Sequence, residues 1–446
     1  MENLNGKKVF VFGLGASGIA AYELLKKKKA KVYTFDDVRF PNKTVDIDFC
    51  NLDFAIISPG VPNNSLMLKQ LERSGVKTIS EIEFASNFDE GNIIAITGTN
   101  GKTTTTSLTS EIFKECFKHK SVLTAGNIGL PYSSVVLKTN KKTHTILEVS
   151  SFQLERIENF KPNIAAILNL APDHLDRYDT FEDYVFAKTN IFRNQAENDF
   201  SILNYNDEKC KKIANSLISN VYYFSHNDES QTENFKGVYI QNRNIYFKDD
   251  KIEKLFCVDG IKLIGGKNLE NILCAVLIAK ICKLDIDKVE RAVKNFKPLS
   301  NRLEFVKQIK NVSCINDSKA TNIASAIADL NAVDGKKVVI FGGSDKGEDF
   351  NDLAANLDDD VVGVFVCGAN KDKILCSLRD CEIQNVFCCE NLKDATQKAS
   401  EFALNYNDNI TLILAPACAS FDEFDNYIER GKFFKKCILE ISKNKN

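Results

Sequence analysis

Short apolar runs rich in β-branched residues alternate with longer stretches of helical periodicity over most of the chain. This alternation is typical of strand–helix–strand units, so it predicts an α/β fold with mostly parallel sheets. The clearest predicted strands are Lys8–Phe12, Lys31–Phe35, Ile93–Thr97, Thr145–Val149, Ile164–Asn169, Lys337–Phe341, Val362–Cys367 and Thr411–Ala415. Between about Val238 and Leu263 the pattern changes to short strands around a turn at 242–244, which predicts a small antiparallel sheet.

Two polar stretches interrupt this pattern, at 87–92 and at 296–300. Clusters of Asn, Asp, Gly, Pro and Ser between periodic segments indicate loops. The length of 446 residues leaves room for three domains of about 150 residues each. We therefore expect boundaries that divide the chain into 1–90, 91–297 and 298–446.

The composition excludes several classes of protein. Lys and Arg total 58 against 60 Asp and Glu, and this balance removes the main argument for a nucleic-acid or membrane-surface partner. The apolar runs are too short to cross a bilayer, and the N-terminal residues lack the pattern of a secretory signal. The 14 cysteines are scattered without zinc-site spacing, which favours free thiols in a reducing compartment. We expect a cytoplasmic globular protein without membrane insertion.

A first glycine-rich loop, at residues 13–18, follows the first predicted strand and precedes helix-forming residues. Its backbone N–H groups and the helix N-terminus could bind a pyrophosphate, and Asp36 after the next strand could bind a ribose hydroxyl. Alone, this glycine loop predicts a nicotinamide enzyme. A glycine turn without any ligand is the alternative.

A second loop, at residues 97–104, follows the predicted strand Ile93–Thr97 and ends in Gly-Lys-Thr-Thr. In a phosphate-binding loop the backbone amides surround the phosphates, Lys102 reaches the β and γ oxygens, and the Thr103 hydroxyl binds Mg²⁺. The match is imperfect because Ile96 occupies the position of the usual first glycine. A dehydrogenase does not need this phosphate loop, so its presence weakens the nicotinamide interpretation.

Three polar residues interrupt apolar patterns near the phosphate loop. Glu148 ends a predicted strand, at the edge of the sheet where Mg²⁺ could be its partner, although a surface glutamate is the alternative. His174 follows a neighbouring strand and could bind a second metal, contact a phosphate or be purely structural. Lys188 lies within an apolar helical stripe, so it either extends to water or loses its charge. A neutral lysine can add CO₂ and become a carbamate, which is an anionic oxygen ligand.

Polar segments also follow strands in the last third of the chain, at 316–322, 341–347 and 415–422. The first combines an acid, a base and hydroxyl groups within one turn. Lys346 and Ser420 would both lie at the C-terminal ends of strands in a third sheet, where ligands bind in open α/β folds.

The most specific segments are Thr-Gly-Thr-Asn-Gly-Lys-Thr (97–103), Gly-Asn-Ile-Gly-Leu-Pro (126–131), Glu-Val-Ser-Ser-Phe-Gln-Leu-Glu (148–155), Asp-His-Leu-Asp-Arg-Tyr (173–178), Asn-Asp-Ser-Lys-Ala-Thr-Asn (316–322) and Ala-Pro-Ala-Cys-Ala-Ser-Phe-Asp (415–422). Taken in this order, they resemble the Mur ligase family nearly end to end. The resemblance implies an N-terminal Rossmann-like domain for a UDP sugar, a central ATPase domain and a C-terminal Rossmann-like domain for an amino acid. It reassigns the glycine loop from a nicotinamide cofactor to the UDP sugar.

The resemblance further implies an ATP-dependent ligase that adds D-glutamate to UDP-N-acetylmuramoyl-L-alanine through an acyl phosphate, in peptidoglycan synthesis. The implied catalytic residues are Lys102, Glu148, His174 and Lys188. The implied ATP-binding residues are Gly98, Thr99, Asn100, Gly101, Lys102, Thr103, Thr104, Asn271, Arg302 and Asp317. The implied UDP-sugar residues are Gly15, Ser17, Asp36, Asn127 and His174, and those for D-glutamate are Lys319, Thr321, Lys346, Ser420, Phe421 and Tyr427. Two Mg²⁺ ions would be held by Thr103, Glu148, His174 and a carbamylated Lys188, and we expect a monomer.

Some alternatives stay open. The protein could be another Mur ligase with a different amino-acid specificity, although it lacks the Asn-Pro-Arg segment of relatives that add diaminopimelate. It could also be a nucleotide-dependent binding protein without ligase activity. The chain departs from the family at Asn301, where a histidine is common, and in the length of the loop after Asp36, so Asp37 and Arg39 are not assigned.

Overall fold

The computed structural model describes residues 3–37, 48–117, 121–174, 177–263, 266–297, 299–344, 349–379 and 385–444. They form three sheets, and most neighbouring strands within each sheet are parallel. The predicted α/β fold is therefore confirmed.

The first sheet is entirely parallel. Its strands are β1 Lys8–Phe12, β2 Lys31–Phe35, β3 Phe54–Ile57 and β4 Thr78–Ser80, in the order β2-β1-β3-β4, and its helices are α1 Ala16–Lys27, α2 Leu66–Arg73 and α3 Glu81–Ser86, with a 3₁₀ turn at Phe49–Asn51. Phe10 and Phe12 pack with α2 on one face, while Val9 and Val11 pack with α1 on the other. Because both faces are covered, the strand is hydrophobic throughout rather than alternating.

The second sheet carries the phosphate loop. Its strands are β5 Asn92–Thr97, β6 Val122–Gly126, β7 His144–Glu148, β8 Ile164–Ile167, β9 Phe200–Asn204, β10 Asn220–Ser225, β11 Gly237–Gln241, β12 Asn244–Lys248 and β13 Ile252–Cys257. Its helices are α4 Lys102–Cys116, α5 Tyr132–Val135, α6 Ser151–Leu154, α7 Phe181–Thr189, α8 Glu208–Ala214, α9 Gly266–Ile281 and α10 Ile286–Asn295, with 3₁₀ turns at Val136–Lys138 and Asn190–Phe192. The strand order β13-β12-β11-β10-β9-β8-β5-β7-β6 puts β5 between β8 and β7.

The antiparallel strands predicted between 238 and 263 are present, but they do not form a separate sheet. Strand β11 pairs in parallel with β10 and then continues into the antiparallel pairs β11–β12 and β12–β13. Gly237 makes this junction possible, because a Cβ atom there would lie 1.7 Å from the Tyr223 carbonyl oxygen. Asn242 and Arg243 both have positive φ, as a tight two-residue hairpin requires.

The third sheet has the order β14-β15-β19-β16-β17-β18 and is parallel except for the edge pair β14–β15. Its strands are β14 Glu304–Ile309, β15 Val312–Asn316, β16 Lys337–Gly342, β17 Val361–Cys367, β18 Val386–Cys388 and β19 Ile410–Leu414. Its helices are α11 Ile323–Leu330, α12 Asn351–Ala355, α13 Lys371–Ser377, α14 Leu392–Leu404 and α15 Tyr427–Asn444. Separate apolar clusters cover its two faces, one with α11 to α13 and the other with α14 and α15.

The chain forms two compact units. The first comprises Met1–Leu170, Arg177–Gly260 and Glu270–Asn295, and it contains the first two sheets. The second comprises Ala171–Asp176, Ile261–Leu269 and Phe296–Asn446, and it contains the third sheet. The domain boundaries near residues 90 and 297 stay predictions. In the described part of the chain, no helix is both long enough and apolar enough to span a membrane.

Candidate active site

The glycine loop of the first sheet is a tight turn between β1 and α1. Gly13 has a φ of +87°, and a Cβ atom on Gly18 would lie 1.8 Å from the Gly13 carbonyl oxygen. Gly15 and Ser17 lie at the start of α1, where backbone N–H groups are available to an anion. The buried Asp36 carboxylate accepts a hydrogen bond of 2.6 Å from the Leu14 N–H, so it holds the loop directly.

The phosphate loop connects β5 to α4, and its glycines are sterically required. Gly98 and Gly101 have φ values of +149° and +84°, and a Cβ atom on Gly101 would lie 2.2 Å from the Asn271 Oδ1 atom. The Lys102 ammonium group donates to the carbonyl oxygens of Gly98 at 2.8 Å and Thr99 at 2.7 Å. The segment after β8 supports the loop, because Asn169 Oδ1 accepts from the Asn100 N–H at 2.8 Å.

Asn271, on α9, packs against this loop, and its role in nucleotide binding stays a prediction. It is 5% exposed, and its Oδ1 atom accepts a hydrogen bond of 3.1 Å from the Thr105 hydroxyl. Thr103 and Thr104 occupy the first turn of α4, next to Lys102. The residues predicted for ATP in the first unit therefore surround one loop.

Lys188 also contacts the phosphate loop. Its side chain is 1% exposed, and its Nζ atom donates to the Gly98 carbonyl oxygen at 2.8 Å. The same nitrogen lies 4.7 Å from the ring centre of Tyr184, whose hydroxyl donates to Thr99 Oγ1 at 3.2 Å. The alternative in which Lys188 extends to water is therefore wrong. Lys102 and Lys188 share one carbonyl oxygen, so their amino groups are close neighbours.

Glu148 ends β7 beside β5, where it pairs with Ile96. It is 2% exposed, and its Oε1 atom accepts from the Asn127 side-chain amide at 2.9 Å. Its Oε2 atom is buried and has no hydrogen-bond partner within the described residues. A buried carboxylate oxygen of this kind calls for a cation, and Mg²⁺ prefers such oxygen ligands.

The oxygen donors near the phosphate loop fit Mg²⁺, which needs few protein ligands, better than they fit a metal ion that is held by protein side chains alone. No group of three or more His, Cys, Asp or Glu side chains that could hold a metal occurs in the described part of the chain. Mg²⁺ is usually bound through one or two protein oxygens together with substrate phosphates and water. Glu148 and the Thr103 hydroxyl can supply the protein oxygens.

In the second unit, loops after the three neighbouring strands β15, β19 and β16 meet. Ser344 after β16 forms a bridge with Ala419 after β19, and the Lys319 ammonium lies 4.0 Å from the ring centre of Tyr427. Ser420 is buried and Phe421 is 73% exposed. Thr321 follows Lys319 in the same turn, where its N–H donates to the Lys319 carbonyl at 2.7 Å. Lys346 lies outside the described residues.

Asp317 directly follows β15, two residues before Lys319, and Arg302 is near enough to influence its charge. Burial raises the pKa of Asp317 well above its usual value, the neighbouring Asp329 raises it further, and Arg302 opposes both effects. Asn301 has a φ of +62° and accepts a hydrogen bond of 2.9 Å from the Asn316 side-chain amide. Asn301, which stands where a histidine is common in the family, is thus buried inside the second unit and is only 5% exposed.

His174 belongs to the second unit, whereas Lys102, Glu148 and Lys188 belong to the first. It has a φ of +58°, and its backbone N–H donates to the Asp173 carboxylate at 3.0 Å. Its role as a metal ligand stays a prediction.

The sequence interpretation missed Arg430, which is 3% exposed. Its guanidinium donates to the carbonyl oxygens of Ser318, Cys418 and Ala419 at 2.9, 3.0 and 3.1 Å. Burial lowers the pKa of Arg430 to about 10. This arginine connects the loops that contain Lys319 and Ser420. A single charged residue on a helix forms no sequence pattern, so nothing in the sequence indicated its role.

Comparison with known proteins bears on this site. Residues 96–279 match the Mur ligase middle domain, and residues 301–418 match the Mur ligase glutamate ligase domain. A UDP-N-acetylmuramoylalanine–D-glutamate ligase from Koribacter versatilis is 39% identical and covers 99% of both chains. One from Lachnoclostridium phytofermentans is 37% identical over 98% of both.

Solved structures share the fold at lower identity. MurC from Thermotoga maritima has a TM-score of 0.61 at 17% identity, covering 97% of this chain and 99% of that chain. MurF from the same organism, in complex with ADP, has a TM-score of 0.57 at 17% identity, covering 98% and 96%. The three sheets, with a glycine-rich Gly-Lys-Thr loop between β5 and α4, define an α/β protein of the fold seen in these ligases. With the sequence matches, they show that this chain belongs to the Mur ligase family, whose members are amide-forming ligases.

Proposed function

We propose that this protein adds D-glutamate to UDP-N-acetylmuramoyl-L-alanine at the expense of ATP, as a cytoplasmic step of peptidoglycan synthesis. The observation that supports ATP-dependent chemistry is the phosphate loop, which has Lys102, Lys188 and Glu148 around it. The choice of D-glutamate rests on relatives of that name, which match over 98 to 99% of this chain.

The proposed domain roles follow the three sheets. Residues 1–90 would bind the UDP sugar through Gly15, Ser17 and Asp36, and residues 91–297 would bind ATP. Residues 298–446 would bind the amino acid and, through Arg302 and Asp317, part of the nucleotide. The glycine loop, the phosphate loop and the strand ends of the third sheet support this division.

The first chemical step activates a carboxylate, which is a poor electrophile at neutral pH. An oxygen of the alanyl carboxylate attacks the γ-phosphorus of ATP, the bond to the β-phosphate oxygen breaks, and ADP leaves. Lys102 would move from the loop carbonyls to the β and γ oxygens and compensate the charge that develops there. Mg²⁺ held by Thr103 and Glu148 would supply further positive charge when bound.

Lys188 is proposed to act as a carbamate. Its burial disfavours the charged ammonium, and a neutral amine can add CO₂ with release of a proton. The carbamate would place an anionic oxygen ligand beside the phosphate loop, near Gly98. We propose His174 as its partner for a second Mg²⁺.

The second step forms the amide. The amine of D-glutamate attacks the acyl-phosphate carbon, a tetrahedral intermediate forms, and phosphate leaves as the amine loses a proton. D-Glutamate brings two carboxylates, and we propose that Lys319, Lys346, Thr321 and Ser420 bind them. The rings of Phe421 and Tyr427 would border the side chain.

Phosphate release tests the proposal directly. The purified protein is incubated with ATP, Mg²⁺ and UDP-N-acetylmuramoyl-L-alanine, and each amino acid is added in turn. We expect release only when all components are present, with D-glutamate the best acceptor and a product heavier by one glutamyl residue. A different best amino acid would make the protein another kind of Mur ligase. Release that ignores both the sugar nucleotide and the amino acid would contradict ligase activity.

A further inference from the structure

A largely buried ion pair, Arg177 with Glu155, lies between the first and second sheets. The Arg177 Nε and Nη2 atoms donate to the two carboxylate oxygens of Glu155, at 2.9 and 2.6 Å. The side chains are 11% and 10% exposed. Burial alone would raise the pKa of Glu155, but hydrogen bonds from Arg177 and Tyr178 more than compensate, so its pKa is lowered and the carboxylate stays charged. A two-point pair of this geometry is strong and directional.

The remaining guanidinium nitrogen, Nη1, binds a loop of the first sheet, residues 58–63. Arg177 Nη1 donates to the carbonyl oxygens of Pro59 at 3.2 Å and Val61 at 3.0 Å. Asn63 completes the contact, because its side-chain amide donates to Glu155 at 3.2 Å. One arginine therefore fixes the backbone of this loop to Glu155, just after α6.

The same loop forms a wall of the glycine loop. The Ser58 hydroxyl donates to the Gly13 carbonyl oxygen at 2.6 Å. A Cβ atom on Gly13 would lie 2.9 Å from the Val61 side chain. A shift of residues 58–63 would therefore change the shape of the glycine loop.

On its other side the pair is linked to the phosphate loop. The Tyr178 hydroxyl donates to Glu155 at 2.6 Å, and its ring packs edge-on against Tyr184 with ring centres 5.4 Å apart. Tyr184 in turn contacts Thr99 and Lys188. Packed side chains thus connect the glycine loop to the phosphate loop through Arg177 and Glu155.

We propose that Arg177 and Glu155 are positioning residues that set the glycine loop relative to the phosphate loop, and so align the sugar-nucleotide acid with the γ-phosphate. This inference rests on the proposed function for the identity of the ligand. Neither side chain takes part in bond making. Lysine cannot replace Arg177, because it lacks the planar fork that binds a carboxylate and two carbonyl groups at once.

The test compares Arg177→Lys with Glu158→Gln. Glu158 pairs with Lys77 at 2.5 Å between the same two sheets, but both side chains are about half exposed, so this control removes an ion pair that does not contact either loop. Steady-state kinetics give KM for each substrate, and thermal unfolding is measured with and without UDP. For Arg177→Lys we expect a rise of about 10-fold in KM for UDP-N-acetylmuramoyl-L-alanine, an ATP KM within about 2-fold of wild type, and a smaller UDP-induced Tm shift.

Glu158→Gln should behave as wild type in all these measurements. Equal KM changes for all three substrates, or wild-type KM values, would overturn the positioning role. If Arg177→Lys does not fold, Glu155→Gln takes its place in the same measurements, because glutamine keeps the shape of the side chain and loses its charge. The UDP-induced Tm shift can be measured without turnover. A wild-type protein that shows this shift but does not ligate D-glutamate would disprove the proposed function and leave the positioning role standing. A wild-type protein without any UDP shift would overturn the positioning role.

Discussion

The glycine loop and the phosphate loop have the same local architecture but different surroundings. Both follow a parallel strand, both turn through glycines with positive φ, and both lead into a helix. This backbone geometry presents N–H groups to phosphate oxygens. On backbone grounds alone, either loop could bind a diphosphate.

The difference lies in what the neighbouring elements supply. Asp36 and Ser58 contact the backbone of the glycine loop, so they shape it. The phosphate loop instead has two lysines on the Gly98 carbonyl and a carboxylate with a buried oxygen on the adjacent strand. Glycines therefore make a place for phosphates, whereas charged groups from neighbouring elements decide whether a phosphoryl group can be transferred there.

Removal of the loop cation should have the largest effect. In Lys102→Met we expect kcat to fall by roughly 1,000-fold or more, because the ammonium group that would compensate the charge developing on the β and γ oxygens is lost. The UDP-induced Tm shift should stay unchanged, because the glycine loop is intact. Phosphate release and thermal unfolding measure the two effects. Turnover within 10-fold of wild type would contradict the division of roles between the loops.

Glu148→Gln should come next, with a loss of about 100- to 1,000-fold in kcat. The amide places a donor where the buried Oε2 atom is an acceptor, and thus it opposes a cation. The Mg²⁺ concentration for half-maximal activity should rise in parallel. Asn127→Ala is the comparison for the Mg²⁺ requirement, since it removes the hydrogen bond to Oε1 and keeps the carboxylate. An unchanged Mg²⁺ requirement in Glu148→Gln would exclude Glu148 as a ligand.

Lys188→Ala tests the second lysine. We expect a loss of about 10- to 100-fold in kcat, typical of a lost group that orients a metal site. Because the proposed active form is a carbamate, short carboxylates such as acetate should restore part of the activity by entering the vacated space. Activity near wild type, or a loss that acetate and bicarbonate leave unchanged, would argue against a carbamate.

The sequence predicted the loops better than it predicted their contacts. Strand β1, strand β2 and the phosphate loop have strong local patterns, so their positions were correct. The prediction for Ile164–Asn169 ran too far, because the chain leaves β8 after Ile167 and Asn169 turns to support the phosphate loop. That contact joins residues 69 positions apart, which no local pattern encodes.

The contacts of single charged residues were the hardest to foresee. Arg430 and Glu155 each bind groups far away in sequence, and neither interrupts a hydrophobic pattern. Lys188 is different, since its charge lies within an apolar helical stripe and breaks the pattern. A buried charge is therefore visible in a sequence when it violates periodicity, and it is hidden when a helix end or turn accommodates it.

The smallest expected effect comes from a pair of glycine substitutions in the glycine loop, which test whether the shape of this loop determines sugar-nucleotide binding. In Gly18→Ala the new Cβ would lie 1.8 Å from the Gly13 carbonyl oxygen, so the turn must shift, at a cost of about 1–3 kcal/mol in stability. The sugar-nucleotide KM should rise by about 5- to 10-fold at unchanged ATP KM, because the distortion is confined to the glycine loop. Gly15→Ala is the comparison, since no protein atom lies within 4 Å of its added Cβ, so it tests crowding of the proposed ligand without a distorted turn. If both variants raise the sugar-nucleotide KM equally, crowding of the ligand, and not distortion of the turn, explains the effect. If neither variant raises it, the glycine loop is not the sugar-nucleotide site.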